Sequence, residues 1–261
     1  MAESLSPPVL LILGVDASGK DHVANVAIGA LTAGGVPTVR RAGWLCARAV
    51  ARRSSEDKGG ARLAQERLFV ATFPLLRPLV IPLCGALLSA DVRRFRRSRG
   101  ADGKATVVVS HTPIRVLAFA LGHRDDDEPL RVGRRTERAL RELAGTDGLR
   151  VIVLDISAEV RAARLADRAM RGRLDHLDRY LANPAHTALA ERIEATLVEL
   201  AVRYLDATVV HNDGLDDDAI AAALQLRPPR PSRAPRPRGG ASSRRRSVAG
   251  WRGDRYRAAS V

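Results

Sequence analysis

The sequence predicts an α/β fold, a parallel sheet with helices on both faces. Two observations carry that prediction. Short β-branched and apolar runs alternate with helical patterns along a single globular length of chain, which is how crossover-connected parallel strands read. The first run, residues 9–13 (VLLIL), is apolar at every position, as a strand covered on both faces must be.

The elements follow in order. Strand 9–13 stops at Gly14, and a glycine-bounded loop leads into a helical pattern over 22–31 (HVANVAIGAL) that ends near Gly34 and Gly35, residues that terminate helices readily. A short second strand is predicted over 36–41. Helices are predicted over 62–73 and 79–97, broken between them by prolines. The turn-forming GADGK precedes 106–109 (TVVV), a β-branched and well-bounded strand. Residues 149–154 (LRVIVL) give a further strand and 158–171 a helix. Leu189, Ile193, Leu197, Leu200 and Tyr204 form the apolar stripe of a long helix. Residues 207–210 (ATVV) are the last strand, and Asp216, Asp217 and Asp218 put negative charge where the last helix's dipole favours it. No internal repeat is visible, so residues 1–226 read as one domain.

Charge divides the chain differently. The 43 basic and 29 acidic side chains give +14, and only Lys20, Lys58 and Lys104 are lysines. Residues 227–261 hold 11 arginines against the single acid Asp254, so +10 lies in this Pro-, Gly- and Ser-rich segment and +4 in the rest. With almost no apolar periodicity, the segment buries too little to offset the entropy of ordering and is predicted to be a disordered tail. It reads either as an arm for a polyanion, nucleic acid or acidic lipid, or as a solvated extension with no dedicated partner.

An apolar share of 46% and a charged share of 28% exclude wholesale disorder, and an aromatic share of 3% leaves the core to Leu, Val, Ile and Ala. Cys46 and Cys84 lie among apolar residues without metal-like spacing and read as reduced structural thiols of a cytoplasmic protein. The start of the chain lacks the basic region of a signal peptide. The most apolar window, 68–90, contains Arg77, Pro74, Pro78 and Pro82 and reads as buried helix and turn rather than a membrane span.

The junction after the first strand carries the chemistry. GVDASGKD, residues 14–21, matches the phosphate-binding pattern G-x-x-x-x-G-K. Gly14 and Gly19 let backbone N–H groups turn inward around a phosphate, and the following helix N-terminus adds positive dipole. Asp16, Ala17 and Ser18 complete the cradle, and Lys20 reaches the terminal phosphates. The last position usually ligates magnesium through Ser or Thr. Here it is Asp21, which could hold magnesium directly or through water.

A second feature lies beyond the strand ending at Leu154. Arg161, Arg164, Arg168 and Arg171 are spaced 3, 4 and 3, which confines them to about 80° of a helix. Arg173 follows Gly172. Phosphoryl transfer needs positive charge around the transferred group, so the stripe reads as an arginine lid. The alternative is a solvated face balanced by Glu159, Asp167 and Asp175.

Taken together, these residues resemble the thymidylate kinase-like branch of the P-loop nucleoside monophosphate kinases. GVDASGKD is similar to that family's G-x-D-x-x-G-K-[ST] loop, with Asp16 at its acidic position. The stretch 155–204 resembles its strand end, arginine lid, acidic turn (Leu174-Asp175) and returning helix. VVHNDG, 209–214, lies where its last strand meets an adenine-contacting loop. The resemblance implies a P-loop NTPase fold with a five-stranded parallel sheet, ATP and Mg2+ as cofactors, and γ-phosphoryl transfer to a nucleotide-like acceptor.

It also implies roles. The loop position that can carry an arginine is Ala17, so Arg168, Arg171 or Arg173 would supply it. Arg40 and Arg41 resemble the acceptor-phosphate arginine. The family's Asp-Arg pair at the end of the central strand is replaced by Ser110-His111; Ser110 could position a hydrated magnesium and Arg115 replace the missing charge. His111 reads as structural or as a base, the run 125–128 as a solvated loop or a metal site. Phe73 and Trp44 read as platforms for an acceptor base or as core. Two functions stand: an ATP-dependent phosphotransferase, or a catalytically degenerate ATP-binding module docked by its tail. Expected partners are a nucleotide substrate, a polyanion and a second copy of the chain.

Overall fold

The computed structural model describes residues 8–47, 60–99, 103–124, 129–172 and 186–224. Arg173, the Leu174-Asp175 turn, the run 125–128 and the tail 227–261 lie outside the described residues. Five strands are formed, β1 (Val9–Gly14), β2 (Thr38–Gly43), β3 (Ala105–His111), β4 (Leu149–Asp155) and β5 (Thr208–His211). They pair in one parallel sheet in the order β2-β3-β1-β4-β5. The helices are α1 (Lys20–Ala33), α2 (Gly60–Arg99), α3 (Thr112–Gly122), α4 (Arg134–Ala144), α5 (Ala158–Met170), α6 (Thr187–Leu205) and α7 (Asp217–Ala223).

The apolar run of β1 is used on both faces, as its composition requires. Leu11 and Leu13 pack with Leu88 of α2, Leu117 of α3, Leu140 of α4 and Leu200 of α6. Leu10 and Ile12 pack with Val107 and Val109 of β3, Val23 and Ala27 of α1 and Ile220 of α7. The strand is central because it can pair on both edges, in register with β3 (Leu11↔Val108) and β4 (Leu11↔Val151). All strands run the same way, so their C-terminal ends form one rim. The loop after β1 sits on that rim, where open α/β sheets bind ligands.

Two sequence expectations are corrected. The helices 62–73 and 79–97 are one helix, α2, that runs through Pro74, Pro78 and Pro82. The prolines are four residues apart, so the carbonyls they leave without an N–H partner line up on one side. Pro78 and Pro82 are exposed, which lets water satisfy those carbonyls and the helix continue. The window 68–90 is also not wholly buried: Leu76, Leu79, Leu83 and Leu87 are exposed, Leu79 by 67%. Among the described residues no helix is long and apolar enough to cross a membrane. Two helices, α3 and α4, form where no element was read.

The last helix starts as its acids predict, with Asp216 Oδ1 accepting the Ala219 amide at 2.7 Å. Both cysteines are free thiols pushed up to about 11, chiefly by burial, which suits structural roles.

Candidate phosphate-binding site

Backbone geometry builds the loop between β1 and α1. Gly14 and Gly19 have φ of 148° and 87°. A Cβ on Gly14 would lie 2.5 Å from Ser18 Oγ, and one on Gly19 would lie 2.6 Å from Asn212 Nδ2. Ala17 is left-handed too, with φ 66°, a conformation costly for a residue with a Cβ. Gly19 caps α1 without any side-chain hydrogen bond, so the first-turn amides are open to an anion. Ser18 is buried, and its Oγ has no hydrogen-bond partner among the described residues.

Lys20, 9% exposed, folds back so that its Nζ donates to the Val15 carbonyl and lies 3.8 Å from Asp16 Oδ1. Burial, against the pull of Asp16 and Asp21 and with help from Arg115 and Arg168, lowers its pKa to about 8. Arg115, from the first turn of α3, donates through Nη2 to Asp16 Oδ2 at 2.8 Å and Oδ1 at 3.0 Å. The charge expected at the end of β3 thus arrives one turn later, on the acidic residue of the loop. Asp16 stands between two cations.

The arginine stripe of α5 is divided rather than shared. Arg161 pairs with Glu194 of α6 at 2.9 Å, and Arg171 pairs with Asp167 of its own helix at 2.8 Å. Arg164 reaches the loop, donating to the Ala17 carbonyl at 3.1 Å and the Asn212 carbonyl at 2.8 Å. Arg168, one turn further on, acts on Lys20 through its field. Of the expected catalytic arginines, Arg168 is near enough for its charge to act on Lys20 and Arg171 is engaged elsewhere.

Other expected site residues are placed as follows. Asp21 is 77% exposed in its side chain and ion-paired with Arg40, which also donates to Asn25 Oδ1 at 2.9 Å. Arg40 is therefore tied to α1. Arg41 donates to the Leu45 carbonyl at 2.5 Å and lies over the Phe95 ring. Phe73 is fully buried against Phe119 and His123, with ring centroids 4.7 and 5.1 Å away. It has no face for a substrate base, which corrects the platform reading in favour of core. Trp44 is half-buried beside His111.

Ser110, the penultimate residue of β3, has φ 56°, and β2 shifts register opposite it between Ala42 and Gly43. The turn aims His111 at α2, where its Nε2 donates to Asp91 Oδ2 at 2.9 Å. Asp91 also accepts the Leu45 amide at 2.8 Å and the Cys46 amide at 3.2 Å. Burial alone would raise this carboxyl, but the His111, Leu45 and Cys46 hydrogen bonds hold it below its ordinary value. His111 is fully buried, so the structural alternative for it holds. Sequence reading missed Asp91, although a lone acid within the apolar run LCGALLSADV is a signal.

Asn212 was also missed as a site residue. It is buried just after β5, and its Nδ2 donates to the Ser18 carbonyl at 2.7 Å. Among the described residues no three His, Cys, Asp or Glu are grouped to hold a metal. Magnesium beside nucleotide phosphates needs only one or two carboxylates, its other ligands being water and phosphate. Asp16 is the loop's carboxylate nearest Lys20, and both its oxygens accept from Arg115.

No family model matches the sequence, and no curated protein matches it. Solved structures are distantly similar to it. The thymidylate kinase of Candida albicans is 12% identical over 84% of this chain and 90% of its own, with a TM-score of 0.45. The YorR protein of Bacillus subtilis, solved with phosphorylated GDP, is 13% identical over 84% and 94%, with a TM-score of 0.39. These are distant likenesses of fold, and the site's own geometry carries its reading.

Proposed function

We propose that the chain is an ATP-dependent phosphotransferase of the thymidylate kinase-like type, moving a γ-phosphoryl group to a nucleoside monophosphate or similar small acceptor. The carrying observation is the convergence of Lys20 and Arg115 on Asp16, in a loop whose first-turn amides are uncapped. Anionic phosphates need such a cradle, and phosphoryl transfer is accelerated mainly by positioning and positive charge.

In this reading the amides of Gly14, Asp16, Ala17, Gly19, Lys20 and Asp21 surround the phosphates, and Ser18, whose amide donates to the Val15 carbonyl at 3.3 Å, offers its Oγ. Lys20 releases Val15 and moves to the β- and γ-phosphates. Arg168 and Arg173, with Arg171 once it leaves Asp167, stabilise the transferring group, while Arg40, Arg41 and Arg115 exchange Asp21, the Leu45 carbonyl and Asp16 for the acceptor. The bond from Pγ to the bridging oxygen breaks as one from the acceptor oxygen forms, and ADP leaves with the electron pair. Asp21, with Asp16 or Ser110, would hold magnesium. The ion, when bound, neutralises charge on the β- and γ-phosphate oxygens.

The test is ADP release with a panel of nucleoside monophosphates and other phosphorylated acceptors, wild type beside Lys20→Ala. Acceptor-dependent turnover that Lys20→Ala abolishes supports the proposal. ATP binding with no acceptor-stimulated turnover sinks it.

A second reading rests on Asp21, engaged by Arg40, and on Ser110-His111, where His111 is sequestered by Asp91. It keeps nucleotide binding and drops catalysis, and the tail 227–261 docks the module on nucleic acid or an acidic membrane surface. Either reading fits a cytoplasmic protein. Sedimentation of the full chain tests whether a second copy is its partner.

A further inference from the structure

We propose that Arg164 and Asn212 form a clamp on the outer side of the phosphate loop and act as positioning residues for nucleotide phosphates. The inference rests on the phosphate-binding reading of the loop and adds two residues to it. A phosphate loop works only if its carbonyls point away from the anion, since each peptide unit is planar and its C=O and N–H point opposite ways. Holding the Ser18 carbonyl outward turns the Gly19 amide inward, while the Ser18 amide is itself held by the Val15 carbonyl at 3.3 Å.

Three hydrogen bonds impose that arrangement. Arg164 Nη1 holds the Ala17 carbonyl at 3.1 Å, and Asn212 Nδ2 holds the Ser18 carbonyl at 2.7 Å. Arg164 Nη2 holds the Asn212 carbonyl at 2.8 Å, which joins the two clamping residues. Fixing the Ser18 carbonyl outward aims the Gly19 amide to the concave side, beside the uncapped amides of Lys20 and Asp21. Fixing Ala17 restrains the one non-glycine residue of the loop in a left-handed conformation.

The second glycine of the motif gains a further reason. A Cβ on Gly19 would meet Asn212 Nδ2 at 2.6 Å and Arg164 Nη1 at 3.4 Å, so a side chain there would collide with the clamp itself. Arg164 also precedes Arg168 by one turn of α5. The guanidinium fork suits this task because it donates in two directions at once. A lysine ammonium at this position has equal charge without that geometry.

The experiment titrates ADP with magnesium into the full chain, comparing wild type, Lys20→Ala, Arg164→Met, Arg164→Lys, Asn212→Asp and the Arg164→Met/Asn212→Asp double variant. Unfolding midpoints and the 31P spectrum of saturated ADP are recorded for each. Arg164→Gln replaces Arg164→Met if the latter does not fold. Arg164→Met and Asn212→Asp should each weaken ADP by about tenfold or more, with the β-phosphate resonance displaced even at saturation. The double variant should lose little beyond the larger single loss, because the two residues act as one unit. Arg164→Lys should behave like Arg164→Met.

Wild-type affinity in Arg164→Lys would overturn the clamp, since charge alone would then suffice. So would single variants that bind ADP like wild type, or that shift only the unfolding midpoint and leave the saturated 31P spectrum unchanged. If Lys20→Ala also binds ADP like wild type, or wild type does not bind it, the phosphate-loop reading itself falls and the clamp with it. Loss in Lys20→Ala beside unaffected clamp variants removes the clamp alone.

Discussion

Burial of the Lys20 ammonium, with Arg115 and Arg168 nearby, holds its pKa at about 8 against Asp16 and Asp21. A bound phosphate would favour the charged form and raise that value. ADP affinity should therefore fall as pH rises above 8, with proton uptake on binding visible as a buffer-dependent calorimetric enthalpy. Lys20→Ala should remove the pH dependence. The same shift sets a stability signature. Between pH 8 and the ordinary lysine value of 10.5 the unfolded chain binds the extra proton, so folding stability rises with pH through this window. The stability difference between Lys20→Met and wild type should change in favour of wild type by on the order of 3 kcal/mol across it, read from urea unfolding. Ala17 is the complementary case, a small residue in a left-handed conformation at φ 66°. Ala17→Gly should stabilise the chain by about 1 kcal/mol in the same assay, while unchanged or lower stability would show that no strain is held there.

At the scale of elements, α2 and the connection leading towards it are joined by one buried acid. Asp91 ties the Leu45 and Cys46 amides and His111 to the helix, so Asp91→Ala should cost about 3–5 kcal/mol by leaving buried donors without a partner. Because its folded pKa is depressed, its contribution is present above the ordinary carboxylate value and lost as pH falls through the folded one. Asp91→Asn should accordingly flatten the acid limb of stability measured by unfolding. Pro78 is exposed within the same helix. Pro78→Ala restores a donor towards the Pro74 carbonyl and should raise the unfolding free energy by about 1–2 kcal/mol, read from urea unfolding. These elements explain what was legible in the sequence. Apolar or β-branched runs such as VLLIL and TVVV announce strands, and Gly14 to Lys20 announce the loop, because local chemistry alone fixes them. The continuity of α2 depended on water at an exposed proline face, and α3 is apolar nearly all round, so neither could be settled by periodicity. Within the site, Arg115 was legible one turn beyond β3. The separate destinations of Arg161, Arg164 and Arg171 depend on which acids and carbonyls the fold brings up, and helical spacing cannot supply that.

At the scale of the whole molecule, charge and chemistry occupy different parts of the chain. Residues 227–261 carry +10 of the net +14, whereas the phosphate loop, Arg115 and α5 use a few cations held by specific carboxylates and carbonyls. If the tail is a polyanion arm, its arginines act by displacing counterions, and affinity must fall steeply with salt. If nucleotide binding belongs to residues 1–226, removing the tail must leave it intact. Both consequences can be read on one pair of proteins, the full chain and a variant ending at residue 226. Fluorescence anisotropy with a short DNA duplex should show affinity for the full chain falling by about a thousandfold or more between roughly 50 and 200 mM salt, as for proteins that neutralise several phosphates. The truncated chain should bind duplex weakly and with little salt slope, because its charge is near +4 and dispersed. ADP affinity should be equal in the two. Equal salt slopes would assign the polyanion affinity to the folded domain. Loss of ADP binding on truncation would make the tail part of the nucleotide site, a role its composition does not predict.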